Sequence, residues 1–123
     1  MLSISQRYGQ SREHLAEKHL RRNGYKIQAR NFRTPYGEID IVARHKGTIV
    51  FIEVKARRSN RFGAPQEAVT ATKQRKISMA ALAYLKKHHT VDTRARFDVV
   101  TIQDGQNPPR IEVITNAFEL AYI

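Results

Sequence analysis

Cysteine is absent from this chain of 123 residues, which excludes disulfides and thiolate metal sites. Long apolar runs are absent too. None approaches the length of a membrane span, and Met1-Leu2-Ser3-Ile4-Ser5 opens no secretory signal, so a cytoplasmic protein without membrane contact is the expectation. Acidic residues are scarce: eleven Asp and Glu stand against twenty-two Lys and Arg, giving a formal charge of +11 and an isoelectric point near 10.5. Arginine outnumbers lysine, 14 to 8. Its planar fork matches phosphate, so the imbalance points to a nucleic-acid partner ahead of an anionic membrane or another acidic surface.

What is present is enough for one globular domain spanning residues 1–123. The apolar fraction of 41% is slightly low, but it is clustered in periodic blocks, which argues against disorder. Ser5 to Asn23 is expected to be helical, with Tyr8, Leu15, Ala16, His19 and Leu20 approximating one face and Asn23-Gly24 as the stop. Tyr25 to Arg33 reads as a strand with Tyr25, Ile27 and Ala29 on one face. Thr34-Pro35-Tyr36-Gly37 is turn chemistry. Glu38 to Arg44 and Thr48 to Ala56 read as two further strands joined by a short hairpin at His45-Lys46-Gly47. Arg57 to Pro65 reads as a loop. A long helix is expected from Thr70 to His88, then strands over Phe97 to Ile102 and Arg110 to Thr115. The sum is an α/β domain with a mixed central sheet flanked by helices. The excursion between the third and fourth strands is long enough for a parallel crossover.

Three charged residues interrupt segments that otherwise read as buried strand: Asp40, Glu53 and Lys55. Alternation places Glu38, Asp40 and Val42 on one face of the second strand and Ile39, Ile41 and Ala43 on the other. On the third strand Phe51, Glu53 and Lys55 share a face, the last two about 6.6 Å apart along the strand. A hairpin centred on Lys46 brings Asp40 opposite Ile52 or Glu53. Two carboxylates suit Mg²⁺ or Mn²⁺, which takes hard oxygen ligands, lowers the pKa of a water and offsets phosphate charge. A lysine beside them can stabilise the extra negative charge of a phosphodiester transition state. Read instead as surface chemistry, Glu53 and Lys55 would be a solvated pair and Asp40 a turn acid. The apolar Ile49 and Phe51 on the same face argue against that.

Gly37-Glu38-Ile39-Asp40 followed by Val50-Phe51-Ile52-Glu53-Val54-Lys55 resembles the PD-(D/E)XK nuclease superfamily. More narrowly, the chain resembles the YraN family of bacterial proteins, which is similar to archaeal Holliday-junction resolvases. The likeness extends through Gly9, Glu13, Gly24-Tyr25, Asn31, Phe62-Gly63, Lys73, Tyr84-Leu85 and Arg96-Phe97-Asp98-Val99-Val100. It implies a restriction-endonuclease-like αβββαβ core and a metal-dependent DNA endonuclease, selective for branched DNA. It also implies Asp40, Glu53 and the Val54 carbonyl as metal ligands and Lys55 as the transition-state lysine. Glu13 would reach the metal through water; the other reading of Glu13 is an exposed helical acid paired with an arginine. Ile39 stands where the motif's name has proline.

Around this cluster, Arg57, Arg58 and Arg61 follow the lysine strand and could grip a phosphate backbone, with Lys73, Arg75 and Lys76 extending the track. DNA is favoured over RNA. Cleaving both strands of a junction would favour a homodimer, although no dimer face is legible. Asp98 is expected to form a structural salt bridge with Arg96 or a loop arginine, and His88-His89 to close a helix. The competing function is a nucleic-acid-binding module that keeps the fold without turnover.

Overall fold

A computed structural model describes residues 1–57, 69–105 and 107–120. The order is α1 (Ile4–Arg22), β1 (Lys26–Arg33), β2 (Glu38–His45), β3 (Thr48–Arg57), α2 (Ala71–Lys87), β4 (Ala95–Gln103) and β5 (Arg110–Phe118). The five strands lie in sequence order in one sheet. Pairing is antiparallel for β1–β2, β2–β3 and β4–β5, and parallel for β3–β4, with α2 in the crossover. This is the mixed α/β arrangement of a restriction-endonuclease-like core, with β5 as an added edge strand.

Local chemistry fixes the ends of the elements. Ser3 caps α1 in a reciprocal box with Gln6: the Ser3 hydroxyl accepts from the Gln6 amide at 3.1 Å, and the Gln6 side chain accepts from the Ser3 amide at 2.9 Å. His19, Arg21 and Arg22 crowd the last turn, where the helix dipole favours positive charge. Thr70 caps α2 by accepting from the Lys73 amide at 3.2 Å. Between β2 and β3, Lys46 and Gly47 both adopt positive φ, 51° and 81°. That left-handed pair matches the twist of a tight hairpin, and glycine takes its second position without a Cβ clash.

The sheet is covered on both faces. On one, Ile77, Ala80, Ala81, Tyr84 and Leu85 of α2 pack on Val42, Ile49, Phe51, Phe97 and Val99. On the other, Ala16 and Leu20 of α1 pack on Ile41, Ala43, Val50, Ile52, Val100 and Ile102. Phe51 is central to the first layer, with ring centroids 5.8 Å from Tyr84 and 5.7 Å from Phe97. Burying such a ring stabilises the fold by roughly 2–3 kcal/mol. The three charged positions therefore belong to two neighbouring strands, β2 and β3, of a sheet sandwiched between helices, not to an open sheet face. Among the described residues no helix is long and apolar enough to cross a membrane.

The structure departs from simple alternation in two places. A register shift between Ile27 and Ala29 leaves Ile27 with the α1 cluster and Ala29 with the α2 cluster, so the expected single face of β1 is split. Further along, Ile39 packs with Val42 against α2 instead of with Ile41 and Ala43. The cause lies on the neighbouring strand. Asn31, between the pairs Arg30↔Ile41 and Phe32↔Ile39, has φ 51°, a conformation asparagine tolerates better than most residues. The pleat slips there, immediately beside Asp40. A third correction concerns Arg57, which ends β3 paired with Gln103 and is not the first residue of a loop.

Candidate active site

Two strands, β2 and β3, carry the predicted core of the site, and α2 packs beside it. The β2–β3 ladder runs to Ile41↔Ile52, and one more step would set Asp40 opposite Glu53. The ladder stops there, and the Asp40 side chain takes over: its Oδ2 accepts from the Val54 amide at 2.8 Å. This bond locks the carboxylate onto β3. Glu53 is 4% exposed and projects from β3 towards α2, where Lys73 Nζ lies 2.8 Å from its Oε1. Lys55 Nζ stands 4.0 Å from the same oxygen. The other oxygen, Oε2, is buried and has no hydrogen-bond partner among the described residues.

An open cavity of about 400 Å³ lies over this cluster, lined by Gly37, Glu38, Asp40, Glu53, Thr70, Thr72, Lys73, Lys76 and Ile77. Gly37 brings the start of β2 hard against α2. A Cβ built there would lie 3.1 Å from both the Cβ and the carbonyl oxygen of Lys76, so glycine allows this close approach and a side chain would make Lys76 give by a few tenths of an ångström.

The charges perturb one another. Burial and the neighbouring Glu53 push the Asp40 carboxyl up to about 7, against the pull of the Val54 hydrogen bond; Glu13 adds to the rise and Lys73 opposes it. Glu13 is raised by burial and by Glu38, while the Asn31 hydrogen bond works the other way. The Lys55 ammonium is pushed down by burial and by Lys73, against Glu53 and Asp40. Burial also works against Lys73, but the bond to Glu53 and the charge of Asp40 outweigh it and hold its pKa above the usual lysine value. Acids raised by burial and by mutual repulsion, beside a lysine lowered by burial and by a second lysine, describe a cluster of charges held partly out of water.

The residues present fit a hydrated divalent ion. A buried carboxylate oxygen without a partner is a ligand atom in waiting, since such an atom is costly to leave unsatisfied. Among the described residues no group of three or more His, Asp or Glu forms a cage. Two carboxylates instead suit Mg²⁺, which keeps several waters.

Glu13, on α1, is neither exposed nor paired with an arginine among the described residues. With the Asn31 amide turned so that its nitrogen faces the acids, it donates to Glu13 Oε1 at 3.2 Å and to Glu38 Oε1 at 3.0 Å. Asn31 thus ties α1 to the start of β2. The residues alone offered no role for it; an Asn inside a strand pattern, able to take positive φ, was the available signal. Glu38 also meets Arg33 at 3.6 Å.

Of the expected phosphate track, Arg57 lies at the end of β3 close enough to influence Lys55, and its carbonyl accepts from the Asp104 amide at 2.8 Å. Arg58 and Arg61 lie outside the described residues. Lys76 lines the cavity, and Arg75 donates to Thr72 Oγ1 at 3.3 Å. Lys73 stands in the acid cluster itself. Away from the site, Asp98 makes the expected salt bridge with Arg96, at 3.0 Å, and His88 caps α2.

Comparison with known proteins agrees with the resemblance read from the motifs. The model of the uncharacterised protein family UPF0102 matches residues 12–102. A UPF0102 protein of Geobacter metallireducens is 56% identical over 114 residues, covering 93% of both chains. One from Desulfosudis oleivorans is 50% identical over 119 residues, covering 97% of this chain and 95% of its own. Most of each relative is therefore aligned, the candidate site included, and the chain belongs to UPF0102, the YraN family.

Proposed function

We propose that this protein is a divalent-metal-dependent endonuclease that hydrolyses phosphodiester bonds in DNA, with Mg²⁺ or Mn²⁺ held by Asp40, Glu53 and the Val54 carbonyl. The observation that carries this reading is the buried Glu53 carboxylate: one oxygen faces two lysines and the other has no partner. A structural acid in a strand core is normally satisfied on both oxygens. When bound, the ion would supply Lewis-acid polarisation of the phosphate and ease deprotonation of a water.

The chain's own residues do the rest. Asp40, fixed by the Val54 amide, and Glu53, fixed on the central strand, present two oxygens with little freedom to rearrange. Lys55, whose Nζ stands 4.0 Å from Glu53 Oε1, would stabilise the phosphate oxygen that gains charge. Glu13, steadied by Asn31, would act on the far side through water. Lys76 and the arginines after β3 would hold the substrate backbone, consistent with a charge of +11. Branched DNA is the favoured substrate, and paired cuts across it would take two copies.

The test is Mn²⁺-dependent nicking of a panel of branched, single-stranded and duplex DNA. Asp40→Asn, Glu53→Gln and Lys55→Ala should each reduce the rate by about 10³-fold, the scale of losing a group that acts mainly in the transition state. Equal trace activity in wild type and Lys55→Ala would mark contamination and leave a binding module without turnover.

A further inference from the structure

Glu53 meets two ammonium groups at one oxygen, yet the proposed chemistry uses only one of them. Lys55 is on the same strand, 4.0 Å away; Lys73 comes from α2 and is closer, at 2.8 Å. The two partners of this short pair differ in exposure. Glu53 is 4% exposed and sits on the central strand, whereas the Lys73 side chain is 44% exposed on a flexible stem. The backbone beneath Lys73 is fixed by the Thr70 cap, so its ammonium can swing while its base stays in place. The cavity gives it somewhere to go: Thr70, Thr72 and Lys76 line the same space.

We propose that Lys73 is a displaceable counter-ion: its ammonium holds Glu53 Oε1 in the metal-free protein and, once that carboxylate holds a divalent cation, turns into the cavity to hold a substrate phosphate. The inference rests on Asp40 and Glu53 being the cation's ligands. Its physical basis is simple. A buried carboxylate needs a partner in the metal-free protein, and an ammonium and a divalent ion repel strongly when they share one carboxylate. The arrangement compensates the buried acid without a permanent competitor for the metal. It also couples the two occupants, because loading the cation releases a positive charge next to where the phosphate must sit.

The experiment is a calorimetric Mn²⁺ titration of wild type, Lys73→Met and Lys73→Arg. Met keeps the stem and removes the charge. Lys73→Met should bind Mn²⁺ roughly 5-fold more tightly than wild type, the scale of a half-exposed ion pair, and Lys73→Arg should return towards the wild-type value. If neither wild type nor Lys73→Met binds Mn²⁺, the cation site is wrong and displacement falls with it. If wild type binds and Lys73→Met binds no tighter, the cation site stands and displacement alone is overturned.

The second half is tested with duplex DNA in a Lys55→Ala background, where turnover is suppressed. Adding Lys73→Met should weaken DNA binding about 3-fold with Mn²⁺ and leave the metal-free affinity unchanged, the scale of one exposed charge contact. Equal weakening in both conditions would overturn the switch. Wild type supplies a check that needs no variant: acylation of Lys73, mapped by mass spectrometry, should rise on adding Mn²⁺ while that of Lys76 does not. A fall or no change at Lys73 would count against release.

Discussion

Two carboxylates are buried in neighbouring strands of this sheet, and they are treated in opposite ways. Asp98 on β4 is completely enclosed, and both its oxygens are occupied. Oδ1 accepts from Arg96 Nε at 3.0 Å and from the Asn116 amide at 2.9 Å; Oδ2 accepts from the Tyr25 hydroxyl at 2.9 Å and from an Arg96 nitrogen at 3.2 Å. Arg96 in turn donates to His45 Nδ1 at 2.8 Å, and His45 stacks on Tyr25 at 4.1 Å. Glu53 on β3 has one oxygen beside two lysines and the other bare. The difference teaches how to separate a structural acid from a functional one. Asp98 ties Tyr25, just before β1, to β4 and β5, reaches the end of β2 through Arg96, and has no capacity left. Glu53 keeps capacity in reserve at the wall of a cavity.

The comparison can be broken by paired substitutions. The largest expected contrast is in activity: Glu53→Gln should remove metal-dependent cleavage, whereas Asp98→Asn, where it folds, should keep the Mn²⁺ site. Urea denaturation should then show the reverse order in stability. Asp98→Asn should cost about 3 kcal/mol, because an amide nitrogen would face donors that now share a carboxylate. Glu53→Gln should cost nothing or stabilise the metal-free protein by about 1 kcal/mol, since it removes a poorly compensated buried charge. If Glu53→Gln proves the more destabilising of the two, Glu53 is a structural acid and the distinction collapses.

Acidity sharpens the same contrast. The Asp40 carboxyl is raised from 3.8 to about 7 in the fold, so the native state binds its proton more tightly than the unfolded chain does. Its contribution to stability is therefore fully present below about pH 4 and is lost as pH rises through about 7. Without metal, denaturation curves should show this decline, and Asp40→Asn should flatten it. A decline of equal slope in Asp40→Asn would assign the effect elsewhere. The smallest expected effect is at the frame of the site. Gly37→Ala must push against the Lys76 backbone and should cost about 1–2 kcal/mol, with Mn²⁺ affinity reduced and the Asp98 network untouched. Urea midpoints and Mn²⁺ titration check this.

Much of this was legible in the residues. The order of helices and strands followed from caps, stops and hydrophobic period, each a local property read within a few positions. Asp40, Glu53 and Lys55 stood out because ionised groups in strand patterns are rare. The slip at Asn31 was not legible, since a single left-handed residue leaves the hydrophobic count almost unchanged while moving Ile39 to the other face. Lys73 was read as part of a phosphate track because, on its own helix, it is one cation among several. Nothing in its neighbours signals a carboxylate twenty positions earlier.

By itself, then, the sequence determined the family, the element order, the basic surface and the strands that bear the charged cluster, because these depend on residue type and short-range spacing. Only the tertiary structure decided which acid is satisfied and which is not. Partnership across the sheet depends on which side chains the fold brings within about 3 Å, the range of a hydrogen bond. That is how Asp98 acquires Tyr25, Arg96 and Asn116, while Glu53 acquires Lys73 and keeps one oxygen uncommitted.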